Sequence, residues 1–106
     1  MIARIWHGYT RPEDANAYEA MLKPELLPGI SQVAGFRGSY LLRRDGGEEV
    51  EFVTIMFWDS VDAIRAFAGE DYTVSVVPEE RRRYLCRHDA KSTHYEIVSA
   101  HPLSSE

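Results

Sequence analysis

The chain has 106 residues, 44% of them hydrophobic and 27% charged, with a net charge of −5. Those proportions fit one ordinary globular domain and exclude a disordered, collagen-like or coiled-coil chain. The negative balance argues against nucleic acid or an anionic membrane as a partner. One cysteine, Cys86, excludes a disulfide framework and a cysteine-rich zinc site.

Arg4 and His7 stand where a signal peptide would be apolar, and the longest apolar run, Ile55 to Trp58, is too short for a bilayer. A reduced cytoplasmic setting is expected. In chain order, Ile2 to Tyr9 is rich in β-branched and aromatic residues and predicts a strand. Thr10 to Asp14 starts a helix, with Pro12 in its first turn and acids at its positive end. Ala15, Tyr18, Leu22 and Leu26 recur at helical spacing, with Pro24 and then Pro28-Gly29 as stops. Gly38 to Arg44 is a second strand, Asp45-Gly46-Gly47 a hairpin turn, and Val50 to Trp58 a third strand. Asp59-Ser60 caps a second helix with the stripe Val61, Ile64, Phe67 and Ala68, ended by Gly69. Residues 70 to 89 carry a weaker signal; Pro78 opens a short helix from Glu79 to Cys86. Thr93 to Val98 is the last strand. Residues 1–99 make one domain and 100–106 a polar tail.

This order, strand-helix-strand-strand-helix-strand, predicts an α+β fold, the ferredoxin-like βαββαβ sandwich with both helices on one face. The first and third strands are expected to pair in parallel at its centre, with the fourth beside the first. Side chains alternate along a strand, which divides the sheet residues in two. Ala3, Ile5, Val53, Ile55, Phe57, Tyr95 and Ile97 form an aliphatic set expected under the helices. Arg4, Trp6, Phe52, Thr54, Met56, Trp58, His94, Glu96 and Val98 form a larger, aromatic and partly charged set. The second set is expected on the open face, as a dimer seam, as a ligand cavity against the partner, or as both. Arg4 and Glu96 are expected to pair, because a lone buried charge is costly.

The histidines show no metal-ligand spacing, so no metal is expected. Imidazole titrates near neutrality, and His94 shares a face with Arg4, which makes it a candidate base. Trp6 and Trp58 would frame a flat slot for a planar ligand. Tyr72 lies in the irregular stretch that could close a pocket mouth. Arg81-Arg82-Arg83, flanked by Glu79 and Glu80, is expected to be a solvated face. Neither a dinucleotide fingerprint nor a phosphate loop occurs, so no nucleotide cofactor is expected.

IARIWHGYT, FWDSVDAIRAFAGED and HYEIV together resemble the antibiotic biosynthesis monooxygenase family, over roughly residues 2 to 98. The resemblance implies a homodimeric α+β barrel of two ferredoxin-like sheets. It also implies oxygenase chemistry without a cofactor on anthrones and related phenols, with haem degradation in a sibling branch. The haem branch needs an Asn on the first strand and a His near the end of the second helical region. Residues 2 to 10 hold no Asn and residues 59 to 87 no His.

Triplet oxygen reacts slowly with closed-shell molecules, but an aromatic anion can pass it one electron. The protein must then bind a flat aromatic, stabilise or remove a proton, and exclude water. The expected slot is Trp6, Phe52, Met56 and Trp58; His94, Arg4 and Tyr72 are the expected catalytic set. The expected partners are a second copy and a small aromatic molecule. A non-catalytic binding or structural protein, and a proton-transfer enzyme such as an isomerase or decarboxylase, are the alternatives.

Overall fold

The computed structural model describes residues 1–101; residues 102–106 of the expected tail lie outside them. Nine elements follow one another among the described residues. Strand β1 (Ile2–Thr10) leads into helix α1 (Pro12–Leu22), which has Pro12 in its first turn followed by Glu13 and Asp14. Helix α1 stops at Leu22, because Pro24 lacks an N–H and its ring blocks a continuing turn. Leu26 and Leu27 still reach the core, from the loop beyond, and Ile30 opens a short 3-10 turn (Ile30–Gln32).

Strands β2 (Phe36–Asp45) and β3 (Val50–Trp58) form a hairpin closed by the Gly46 N–H on the Glu49 carbonyl at 2.9 Å. Helix α2 (Val61–Ala68) is capped by Ser60, whose hydroxyl accepts from the Ala63 N–H at 3.2 Å. Gly35, at φ +87°, lets the preceding loop touch α2: a Cβ there would stand 2.5 Å from that of Ala63. Helix α3 (Glu79–Arg82) and strands β4 (Leu85–His88) and β5 (Thr93–Glu96) complete the chain.

The fold is the expected α+β ferredoxin-like sandwich, with strand order β2-β3-β1-β4 and β5 beside the start of β1. Three details differ from expectation. First, β1 and β3 pair antiparallel, with Ile2 opposite Trp58 and Thr10 opposite Val50. The crossover through α1 makes β2 run with β1, so the hairpin reverses β3 against both. Second, the helix expected to reach Cys86 ends after one turn at Arg82, and Leu85–His88 bonds to the far end of β1. Strands β4 and β5 therefore share one edge of β1, and each satisfies part of its backbone.

Third, the two faces are exchanged. The large aromatic set lies under the helices: Trp58 and Phe52 are fully buried, and Trp6 and Met56 nearly so. Trp58 stacks on Phe67 of α2 at 5.1 Å, and Phe52 meets Tyr18 of α1 edge-on at 5.0 Å. The aliphatic set faces away. Ile5, Val53, Ile55 and Phe57 are half-buried, and beside them Tyr40, Leu42 and Tyr95 are 63%, 46% and 56% exposed. Alternation fixes which residues share a face but not which face the helices choose. The two short helices leave a deep gap over the sheet, and indole and phenyl rings fill it better than branched aliphatics. A charge at Trp58 would therefore break the covered core, and a dimer seam must be tested on the opposite face.

Candidate functional site

Between helices and sheet lies a narrow cleft, partly open to solvent. Its sheet side is Arg4, Trp6, Thr54 and Met56. Tyr18 and Leu22 from α1 and Phe67 from α2 wall it, and the segment before and within α3 adds Val76, Pro78 and Arg81. The alternation of β1 aims Arg4 and Trp6 the same way, into this space.

The Trp6 indole is fixed at both ends. Its Nε1–H donates to the Asp89 carbonyl at 3.0 Å, and its six-membered ring lies across Gly8. A Cβ on Gly8 would stand 2.4 Å from Cη2 of that indole, so the glycine makes the room in which Trp6 lies.

Arg4 is 3% exposed. Its Nη1 donates to the Tyr72 carbonyl and to Nε2 of His94 at 2.9 Å, and its Nη2 donates to the Val74 carbonyl at 2.9 Å. The segment carrying those carbonyls is held by the Ser75 N–H on the Ala90 carbonyl, 3.0 Å, and the Ser92 N–H on the Thr73 carbonyl, 2.7 Å. The guanidinium also sits 5.7 Å from the centre of the Phe67 ring. Burial pulls Arg4 down to about 10, which leaves it charged at neutral pH.

A guanidinium can only donate, so Nε2 of His94 must accept and its proton must sit on Nδ1. Burial, and then the Arg4 charge, push His94 below its ordinary value. His94 is therefore a neutral ring whose basic nitrogen is engaged by Arg4. The Tyr72 ring packs edge-on to it at 5.0 Å. Tyr18 is the phenol in the cleft wall; burial pushes it up to about 12, with Arg81 opposing, so at neutral pH its hydroxyl is a donor.

Arg4, His94 and Tyr72 thus come together, and of the three Arg4 alone lines the cleft. Trp6 and Met56 line it too, while Phe52 and Trp58 stand one layer behind, supporting Tyr18 and Phe67. The expected Arg4–Glu96 pair does not form. Glu96 is exposed opposite Ile2, because the register sets His94 against Arg4. Arg82 and Arg83 are exposed as expected, but Arg81 is buried in the cleft wall. Its partner, the Leu26 carbonyl, is 55 residues away, so no local pattern marked it. His7 lies on the open face, with Nδ1 2.8 Å from the Asp89 carboxylate.

Among the described residues no three of His, Cys, Asp and Glu gather as a metal site, and no helix is long and apolar enough to cross a membrane.

Known structures share this architecture. A crystal structure described as a putative antibiotic biosynthesis monooxygenase from Bacillus cereus matches with TM-score 0.67 at 13% identity, over 99% of this chain and 98% of that one. A second antibiotic biosynthesis monooxygenase structure matches with TM-score 0.65 at 17% identity, over 93% and 100%. The haem degrader MhuD from Mycobacterium tuberculosis, with two haems in its active site, matches with TM-score 0.62 at 20% identity, over 96% and 100%. At such identities the likeness is one of fold.

The cleft of this chain does not fit a haem. Its lining offers no imidazole, thiolate or carboxylate to an iron, and the Tyr18 phenol is held away from its phenolate form. No curated protein matches the chain. The family model described as antibiotic biosynthesis monooxygenase matches residues 1–79, which include β1 to β3 and helices α1 and α2. The chain belongs to the antibiotic biosynthesis monooxygenase family.

Proposed function

We propose that the protein is a cofactor-independent monooxygenase acting on an aromatic substrate of the anthrone or hydroquinone kind. The observation that carries this reading is Arg4: a buried guanidinium with no carboxylate partner among the described residues, set in a cleft whose walls are mostly apolar and include the Trp6 indole. A cation there favours the anion of any acidic phenol or enol placed against it. Trp6 and Met56 supply the flat apolar contact. The neutral His94 ring and the carbonyls of Tyr72 and Val74 position the guanidinium by accepting from it.

The lining contains no carboxylate or free imidazole, so the substrate proton leaves to solvent through the mouth as Arg4 lowers its pKa. The anion then gives one electron to oxygen, forming a substrate radical and superoxide. The pair recombines as a peroxide on the ring carbon. A proton returning from solvent makes this a hydroperoxide, and loss of water from a hydroperoxide on a carbon that began as CH2 gives a carbonyl, with one oxygen atom in the product and one in water. The apolar walls keep bulk water from the radical pair.

The homodimer belongs to the same reading. The face holding Ile5, Val53, Ile55, Phe57, Tyr40 and Leu42 is too apolar to stay wet, and it is the face left free by the helices. A partner on it would leave the cleft on the outer, helix side of each sheet.

Bound anthrone, titrated spectrophotometrically without oxygen, tests the role of Arg4. Its enolate absorbance should appear at lower pH than in water, and Arg4→Met should abolish that displacement. An unshifted titration of bound anthrone would contradict the reading.

A further inference from the structure

A second buried cation faces the same cleft. Arg81 of α3 is 8% exposed and lines it together with Arg4. Its hydrogen bonds leave from Nη1: one to the Leu26 carbonyl, and a long one of 3.5 Å to the Glu25 carbonyl. Its Nε is buried with no partner among the described residues. Arginine presents five N–H groups in a planar fork, and the edge made by Nε and Nη2 matches the two oxygens of a carboxylate. On Arg81 that edge makes no bond among the described residues. The Nη1 bonds tie down the loop after α1 and account for an arginine here; they do not use its other edge.

The rest of the chain sharpens the contrast. Seven of the ten arginines have a carboxylate at 2.6 to 3.9 Å. Acids outnumber bases 17 to 12. Yet the two arginines buried at the cleft pair with no acid among the described residues. Glu25 feels the charge of Arg81, but its oxygens are taken by the N–H groups of Gly29 and Ser31 and by the Ser31 hydroxyl. A buried cation with no counter-ion is costly. In so acidic a chain, two of them at one apolar cleft are not a by-product of composition.

We propose that the missing counter-ion comes with the ligand: the cleft takes an aromatic carboxylic acid. Its rings lie among Trp6, Leu22, Met56 and Phe67, and its carboxylate pairs with the Arg81 guanidinium in the cleft wall. This rests on reading the cleft as an aromatic-binding site, and it narrows the substrate to an aromatic with a permanent acid besides the oxygen that Arg4 holds.

Tryptophan fluorescence titration of the intact chain with 2-naphthoic acid and with 2-naphthamide tests it, since the two share their rings and differ in charge. The acid should bind at least about tenfold more tightly than the amide. In Arg81→Met, similar in length but uncharged, the acid should bind within about threefold of the amide. Arg81→Lys, with the charge but not the fork, should fall between. The wild-type ratio decides the matter even where a variant does not fold. Equal binding of both probes overturns the acid and leaves the aromatic-binding reading standing. Binding of neither overturns both. An acid preference that survives Arg81→Met overturns the assignment to this arginine.

Discussion

Arg4→Met should separate function from stability, because two effects of similar size oppose each other. Arg4 donates to the Tyr72 and Val74 carbonyls and to His94. Losing a charged donor costs about 1.5–3 kcal/mol for each partner left dry. Val74 is 44% exposed, however, and Tyr72 and His94 are half-buried, so water can replace part of each bond. The loss is then about 3 kcal/mol in all. Against it, burial pulls the guanidinium down to about 10. At about 1.4 kcal/mol per pKa unit, the charged form carries a penalty of about 3 kcal/mol that methionine lacks. The unfolding free energy should therefore change by less than about 2 kcal/mol. Turnover should fall about 100- to 1000-fold, the cost of losing one preorganised donor at a developing oxyanion. Urea unfolding followed by circular dichroism, beside oxygen uptake on the same sample, reads both. A destabilisation above about 4 kcal/mol would show Arg4 to be a strut of the fold. Unchanged turnover would remove it from the chemistry.

Three further outcomes follow from the geometry. Ile55→Asp, between Ile5 and Tyr40 on the open face, should leave a folded monomer of 12.1 kDa where the wild type sediments at twice that mass. A variant that stays dimeric would exclude this face as the seam. Gly8→Ala should push the Trp6 ring aside, costing about 1–3 kcal/mol in thermal unfolding and weakening 2-naphthoic acid binding; unaltered affinity would mean that the indole is not part of the site. The third concerns pH. Because His94 is held below its ordinary value in the fold, the unfolded chain takes up that proton first as pH falls through about 6.5. Stability therefore declines from there down to the folded-state value and levels off below it. His94→Gln keeps an acceptor for Arg4 without titrating, so its melting temperature should fall less than wild type between pH 7 and 5. Parallel curves would contradict the linkage.

Much of this architecture was legible in local signals. Pro12 with its following acids, the Ser60 cap and the Val50–Trp58 alternation each mark an element, and each element is present. Grouping by alternation correctly put Arg4, Trp6, Met56 and His94 on one face. It could not say which face the helices cover, because that depends on how two helices fill a gap and not on any single strand. The Glu79–Cys86 segment reads as helix because Pro78 suits a helix start. Leu85–His88 became strand because the far end of β1 needed partners that only tertiary structure reveals. Arg81, expected on a solvated face, is buried for a related reason. Its neighbours Arg82 and Arg83 are solvated, and its burial depends on a carbonyl in a distant loop. The partner of Arg4 was misjudged by two residues of register, which exchanged Glu96 for His94 and a salt bridge for a neutral acceptor.

Oxygen uptake by the purified protein, without added metal or flavin, is the decisive assay for oxygenase chemistry at this cleft. The substrates should be anthrones and hydroquinones, with and without a ring carboxylate. Uptake should exceed the protein-free rate, be fastest with the carboxylated compounds, and be lost in Arg4→Met while the variant remains folded. Uptake no faster than the protein-free rate with compounds that demonstrably bind the cleft would contradict that chemistry, and would leave a binding protein or a proton-transfer enzyme on the same fold.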